Sequence, residues 1–152
     1  MGGYGGSSKR IKSNSYLDTG GYKVTDKNSI EVGEYYINKG YYVAFLQEKP
    51  GQKRADLSVE GIHTEIKGMS SLSTNKVANN IKEGFEQVAS DDFRYPAVTY
   101  RDGQVIILSK YPNLKTAYKV IYGGYRKAKS KGYIKGEVYL IHKGVKYFIG
   151  GR

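Results

Sequence analysis

The run Val105-Ile106-Ile107-Leu108 has four apolar residues and no polar break. Strand side chains alternate between the two faces of a sheet, so a strand without a polar position has both faces covered. A chain with such a strand needs helices to cover it, and the sequence supplies them. Over residues 28–40, Ile30, Gly33/Glu34 and Ile37 fall at helical spacing, with Ser29 as the predicted cap and Gly40 as the stop. Over residues 75–89, capped by Thr74, Val77, Ile81, Phe85 and Val88 follow the i, i+4, i+8, i+11 stripe of an amphipathic helix. Residues 114–129 are basic and helical in pattern, with Gly123-Gly124 expected to break them. Residues 41–46 form a β-rich run closed by the Pro50-Gly51 turn. Residues 53–68 read as a hairpin, strands 55–59 and 62–67 about Glu60-Gly61, and 138–141 with 145–149 as a C-terminal hairpin about Lys143-Gly144. This order predicts an α/β domain with a mixed central sheet flanked by helices. Residues 1–15, rich in Gly, Ser, Lys and Arg, read as a flexible leader, and 16–152 as a single domain.

Several chemistries are excluded. The 152 residues include no cysteine, so there is no disulfide framework, thiolate zinc site or cysteine nucleophile. Two histidines, His63 and His142, cannot build a multi-histidine metal site. No apolar run approaches the ~18 residues of a membrane span. The opening MGGYGGSSKR lacks an apolar core, so no signal peptide is expected. The charge, in contrast, is informative. Lys and Arg number 25 and Asp and Glu 14, a net charge of +11 that implies an anionic partner, most simply nucleic acid. Sixteen tyrosines suit sheet and core positions, and some could stack on exposed bases.

The residues with chemical potential lie in the first hairpin. Glu65 and Lys67 point the same way by the period of two, with Ile66 behind them. Asp56 can lie across the hairpin from Glu65, since cross-strand neighbours are about 5 Å apart. Two adjacent carboxylates repel unless a cation sits between them, and Mg²⁺ takes one or two carboxylates with waters and phosphate oxygens. Lys67 could then position a nucleophile or stabilise the charge of the transition state. The competing reading is a surface salt-bridge trio on an exposed strand face. His63 shares the face of Glu65 and could line the site rim, or be an ordinary exposed strand histidine. Ser58 shares the face of Asp56, and Gln87 could reach the site from the second helix. Lys115, Lys119, Arg126, Lys127, Lys129 and Lys131 form a basic stretch that could hold phosphates without reading sequence. His142 receives no role.

The hairpin Ala55-Asp56-Leu57-Ser58-Val59-Glu60-Gly61-Ile62-His63-Thr64-Glu65-Ile66-Lys67 resembles the core of PD-(D/E)xK nucleases. It is especially similar to the C-terminal toxin domains of contact-dependent growth inhibition systems and related polymorphic toxins. The helix after it, with Asn79-Asn80-Ile81-Lys82 and Gln87, resembles the same group, and the likeness covers roughly residues 28–110. It implies a restriction-endonuclease-like core and metal-dependent phosphodiester cleavage, with Mg²⁺ or another divalent cation held by Asp56 and Glu65. It also implies a further acidic residue from the first helix, Glu34 or, second, Glu31. tRNA is the implied substrate, with DNA the alternative. An acidic cognate immunity protein is implied, as is delivery within a larger secreted or surface protein to the cytoplasm of a target bacterium. No proline precedes Asp56, and the part after Lys110 lies outside the resemblance. Two rival readings stand beside it: a non-enzymatic basic nucleic-acid-binding module, and a metal-independent RNase using Lys, Arg and Tyr.

Overall fold

The computed structural model describes residues 16–18, 26–46, 55–89 and 103–151. The elements run β1 (Tyr16–Asp18), α1 (Lys27–Asn38), β2 (Tyr42–Phe45), β3 (Leu57–Val59), β4 (Ile62–Met69), α2 (Thr74–Val88), β5 (Gln104–Ser109), α3 (Leu114–Ser130), β6 (Glu137–His142) and β7 (Val145–Gly150). They form one seven-stranded sheet in chain order. β1 and β2 are parallel, as are β4, β5 and β6, while β2–β3, β3–β4 and β6–β7 are antiparallel. The mixed sheet flanked by helices is the architecture expected from the sequence. The expected leader, residues 1–15, and the Pro50-Gly51 turn lie outside the described residues.

β5 shows why the sheet has two cores. Val105 and Ile107 pack with Val77, Ile81 and Phe85 of α2 and Ile121 of α3. Ile106 and Leu108 pack on the opposite side with Val32, Tyr36 and Ile37 of α1. The four apolar residues are therefore fully covered, two by each layer. Both predicted two-residue turns form, with left-handed backbone at Glu60 and Gly61 (φ 51° and 84°) and at Lys143 and Gly144 (φ 48° and 80°). That geometry matches the right-handed twist of the flanking strands and favours glycine at the second position.

Three local expectations need correction. α1 begins at Lys27, and its cap is Asp26 rather than Ser29: the Asp26 side chain accepts from Ser29 N at 3.3 Å and from Ser29 Oγ at 2.7 Å. α2 is capped by Ser73, whose side chain accepts from Lys76 N, and Thr74 is its first residue. α3 does not break at Gly123-Gly124. A Cβ at Gly124 would lie 2.3 Å from Val77 Cγ1, and one at Gly123 3.0 Å from Thr74 Cγ2. The glycines are the seam along which α2 and α3 touch, so tertiary packing overrides their poor helix propensity.

Candidate active site

The register pairs Leu57 with Thr64 and Ser58 with His63, which sets Asp56 opposite Glu65. Asp56 is locked there: its Oδ2 accepts from Ile66 N at 2.9 Å, and its carbonyl accepts from Leu46 N at 3.0 Å. Glu65 is 3% exposed. Its Oε2 lies 3.4 Å from Lys67 Nζ, and the same ammonium donates to Gln87 Oε1 at 2.8 Å. α2 runs back along β4, so its last turn brings Gln87 over the strand. Gln87 thus reaches the site across 20 residues of sequence. The burial of Glu65 is unlike a surface salt-bridge trio.

Electrostatically, the pair is strained. Burial pushes the Glu65 carboxyl well above the usual range, the neighbouring Asp56 pushes it further, and Lys67 only partly offsets them. Burial also raises Asp56, opposed by its hydrogen bond from Ile66. Glu65 Oε1 is buried and meets no donor. A proton held between the two carboxyls, a bound water or a cation would relieve that oxygen.

Other predicted residues fall in different places. His63 is buried rather than exposed, with Nδ1 3.3 Å from the Val88 carbonyl oxygen, so it ties β4 to the end of α2. Ser58 is buried between Ala44 and His63 in the middle of the sheet. α1 packs its apolar stripe on the face of Ile66 and Ile106, and the side-chain charges that bear on Asp56 and Glu65 are those of Asp26, Lys67 and each other. Glu31 lies 4.0 Å from Lys110. The acidic residue at α1 whose charge bears on Asp56 is the cap Asp26, and it raises the Asp56 pKa further. The sequence reading missed it; an Asp three residues before a serine, just ahead of a helical stripe, was the available signal. Among the described residues, no three His, Asp or Glu side chains converge to hold an ion, and the side-chain carboxylates at this place are Asp56 and Glu65.

The basic stretch divides. Lys115, Lys119, Arg126 and Lys129 are exposed on α3 at spacings that share one face. Lys127 turns towards α2 and donates to Asn75 Oδ1 at 3.0 Å. Lys131 follows the helix, with its ammonium 6.0 Å from the ring centre of Tyr133. His142, left without a role, is buried at the end of β6 with Nδ1 2.7 Å from Ser109 Oγ, a contact that joins β6 to β5.

No helix among the described residues is long and apolar enough to cross a membrane. No family model and no curated protein matches the chain. Among solved structures, the fold is similar to that of a chain of the CdiA-CT/CdiI toxin and immunity complex from Burkholderia pseudomallei. The TM-score is 0.56 and the identity 16%, over 89% of this chain and 98% of that one.

Proposed function

We propose that the chain is a toxin nuclease of the PD-(D/E)xK kind that hydrolyses phosphodiester bonds in RNA, tRNA foremost, using a divalent cation at Asp56 and Glu65. The observation that carries this reading is the buried Glu65 carboxyl, with one oxygen left without a donor beside a second carboxyl. A structural ion pair has no need of that arrangement, because leaving a buried polar atom unsatisfied costs about 1–3 kcal/mol. The donors suit Mg²⁺, which takes one or two carboxylates and completes its shell with waters and phosphate oxygens. Bound there, the ion would supply charge neutralisation at the phosphate and a more acidic water.

The protein's own side chains account for the rest. Asp56 is fixed by its bond to the Ile66 amide, so its carboxyl is held in place before substrate arrives. Gln87 holds the Lys67 ammonium beside Glu65. A cation placed beforehand at the reacting phosphate stabilises developing negative charge without reorganising. The shared fold with a chain of a toxin and immunity complex supports the toxin reading. On that reading the chain is delivered within a larger secreted or surface protein, acts in the cytoplasm of a target bacterium, and is neutralised by an acidic cognate immunity protein.

The test is incubation of the purified chain with total RNA and, separately, plasmid DNA, each with Mg²⁺ or EDTA. Loss of intact tRNA only with Mg²⁺ is the expected result. Cleavage confined to the plasmid would instead make it a DNase of the same fold. Cleavage of RNA in EDTA would reject the metal, and binding without cleavage would leave a nucleic-acid-binding module.

A further inference from the structure

The outer face of α3 combines two features that the carboxyl site does not use. The first is charge: between Asp102 and Glu137 there is no acidic residue and there are eight Lys or Arg. The second is a ladder of tyrosine rings. Tyr118 and Tyr122 are 42% and 39% exposed and lie nearly parallel, with centroids 5.8 Å apart and an interplanar angle of 11°. Tyr122 stacks in turn on Tyr125 at 6.1 Å and 26°. Tyr125 is the buried, anchored end, its hydroxyl donating to the Gly151 carbonyl at 3.0 Å. Tyr118 is the open end. Lys115 and Lys119 stand three residues before it and one after, and both line a cleft of about 580 Å³ between the first turns of α2 and α3.

We propose that this face is a docking track for an unpaired RNA segment: a base extends the ring stack at Tyr118, and the adjoining phosphates lie against Lys115 and Lys119 in the cleft. Every base has a π-face, so a ring ladder flanked by cations holds single strands whatever their sequence. A duplex keeps its bases stacked inside and cannot use Tyr118, whereas RNA loops present splayed bases to aromatic side chains. A protein partner is the other occupant such a surface could take. The run of eight Lys or Arg with no acidic residue between Asp102 and Glu137, and the pairing of an open ring end with a lysine-lined cleft, favour the polyanion. The inference deepens the nuclease reading by naming unpaired RNA as what the chain holds, yet binding can be measured without cleavage.

The experiment uses fluorescence anisotropy in EDTA with the full chain and three labelled probes: an RNA stem-loop, a blunt RNA duplex of the same stem, and the DNA stem-loop. The expected result is tightest binding to the RNA stem-loop. Tyr118→Ala should weaken that binding roughly 5- to 150-fold, the range for loss of a base-stacking aromatic. Tyr118→Phe should bind like the parent, and duplex binding should be unchanged in both variants. Tyr118 is exposed, so the fold is not at stake, and circular dichroism checks this. Unchanged stem-loop binding by Tyr118→Ala would overturn the proposal. So would an equal loss on the duplex, or a variant that keeps RNA affinity but loses a protein inhibitor. Mg²⁺-dependent cleavage unaffected by Tyr118→Ala would sink the track and leave the nuclease standing. Loop-selective binding with no cleavage under any condition would do the reverse.

Discussion

Glu65 occupies a position where an ionised carboxylate is poorly tolerated. Its pKa is raised from an ordinary 4.5 to about 9 by burial first and Asp56 second. Below about pH 4.5 both folded and unfolded chains hold this proton, and Glu65 contributes nothing to the pH dependence of stability. Above it, the unfolded chain ionises freely while the folded chain keeps its proton, so stability falls until the pH reaches about 9. Glu65→Gln removes that penalty, since an amide can donate to Asp56 and accept from Lys67. In EDTA the variant is expected to melt with the parent near pH 4 and at least ~10 °C above it near pH 8, since most of the interval from 4.5 to about 9 has then been crossed at about 1.4 kcal/mol per pH unit and roughly 2–4 °C per kcal/mol. Thermal melts at the two pH values check this, and a gap of equal size at both would show that Glu65 does not fold as a neutral acid. Function should move the opposite way. Asp56→Ala, Glu65→Ala, Glu65→Gln and Lys67→Ala are each expected to lose about 100-fold or more in RNA cleavage, the scale of losing a transition-state charge partner. A correctly folded Glu65→Ala chain that still kills bacteria on expression would reject the site.

At the scale of elements, α3 shows how packing decides what propensity leaves open. Gly→Ala in an exposed helix gains about 1 kcal/mol. At Gly124 the added carbon would meet Val77 Cγ1 and would lie 3.1 Å from the Thr74 carbonyl oxygen. Gly124→Ala is therefore expected to destabilise by roughly 1–3 kcal/mol, the usual cost of overpacking. Gly123→Ala, facing only the Thr74 methyl at 3.0 Å, should be near neutral. Urea unfolding midpoints of the two variants make the comparison, and a stabilised Gly124→Ala would mean that α2 and α3 are not held by this seam. The same contrast explains what could be read from the sequence. The hairpin of β3 and β4 was legible because turn chemistry at Glu60-Gly61 and alternation across it are local signals. So was the Asp56–Glu65 pairing, which follows from that register. The continuity of α3 was not, because a Gly-Gly pair reads as a break until the second helix is in place. β1 is only three residues long and acquires its meaning from parallel pairing with β2, 26 residues on. Asp26 was not legible because its charge reaches Asp56 only through the docking of the start of α1 on the sheet, which no local pattern encodes.

For the whole molecule, a net charge of +11 makes association with nucleic acid a matter of counterion release. If the four exposed cations of α3 that share a face each neutralise one phosphate of a single strand, the logarithm of affinity should fall with the logarithm of salt at a slope near −3. That is about a 50-fold loss over a fourfold rise in salt concentration. A flat titration would remove this surface from the account of binding. The same field bears on how a producing cell would survive the chain. A free-standing inhibitor must outrun nucleic acid for the same protein, and opposite charge raises encounter rates by long-range steering. The carboxyl pair at Asp56 and Glu65 is a poor target for an acidic inhibitor, because it is buried and carboxyl-lined and offers an incoming carboxylate only the Lys67 ammonium. The α3 face has no such conflict, with Lys115, Lys119, Arg126 and Lys129 together and no acidic residue between Asp102 and Glu137. An acidic immunity protein is therefore expected to cover α3 and stop the substrate from docking, leaving the carboxyl pair open. Co-expression of the small product encoded directly downstream, followed by pull-down, tests for the partner. Double charge reversal, Lys119→Glu with Arg126→Glu, tests the surface: association with that product should slow at least ~10-fold at low salt. Capture undiminished by the reversal would place the inhibitor over the carboxyl site, and a downstream product that binds without relieving toxicity would remove the immunity reading.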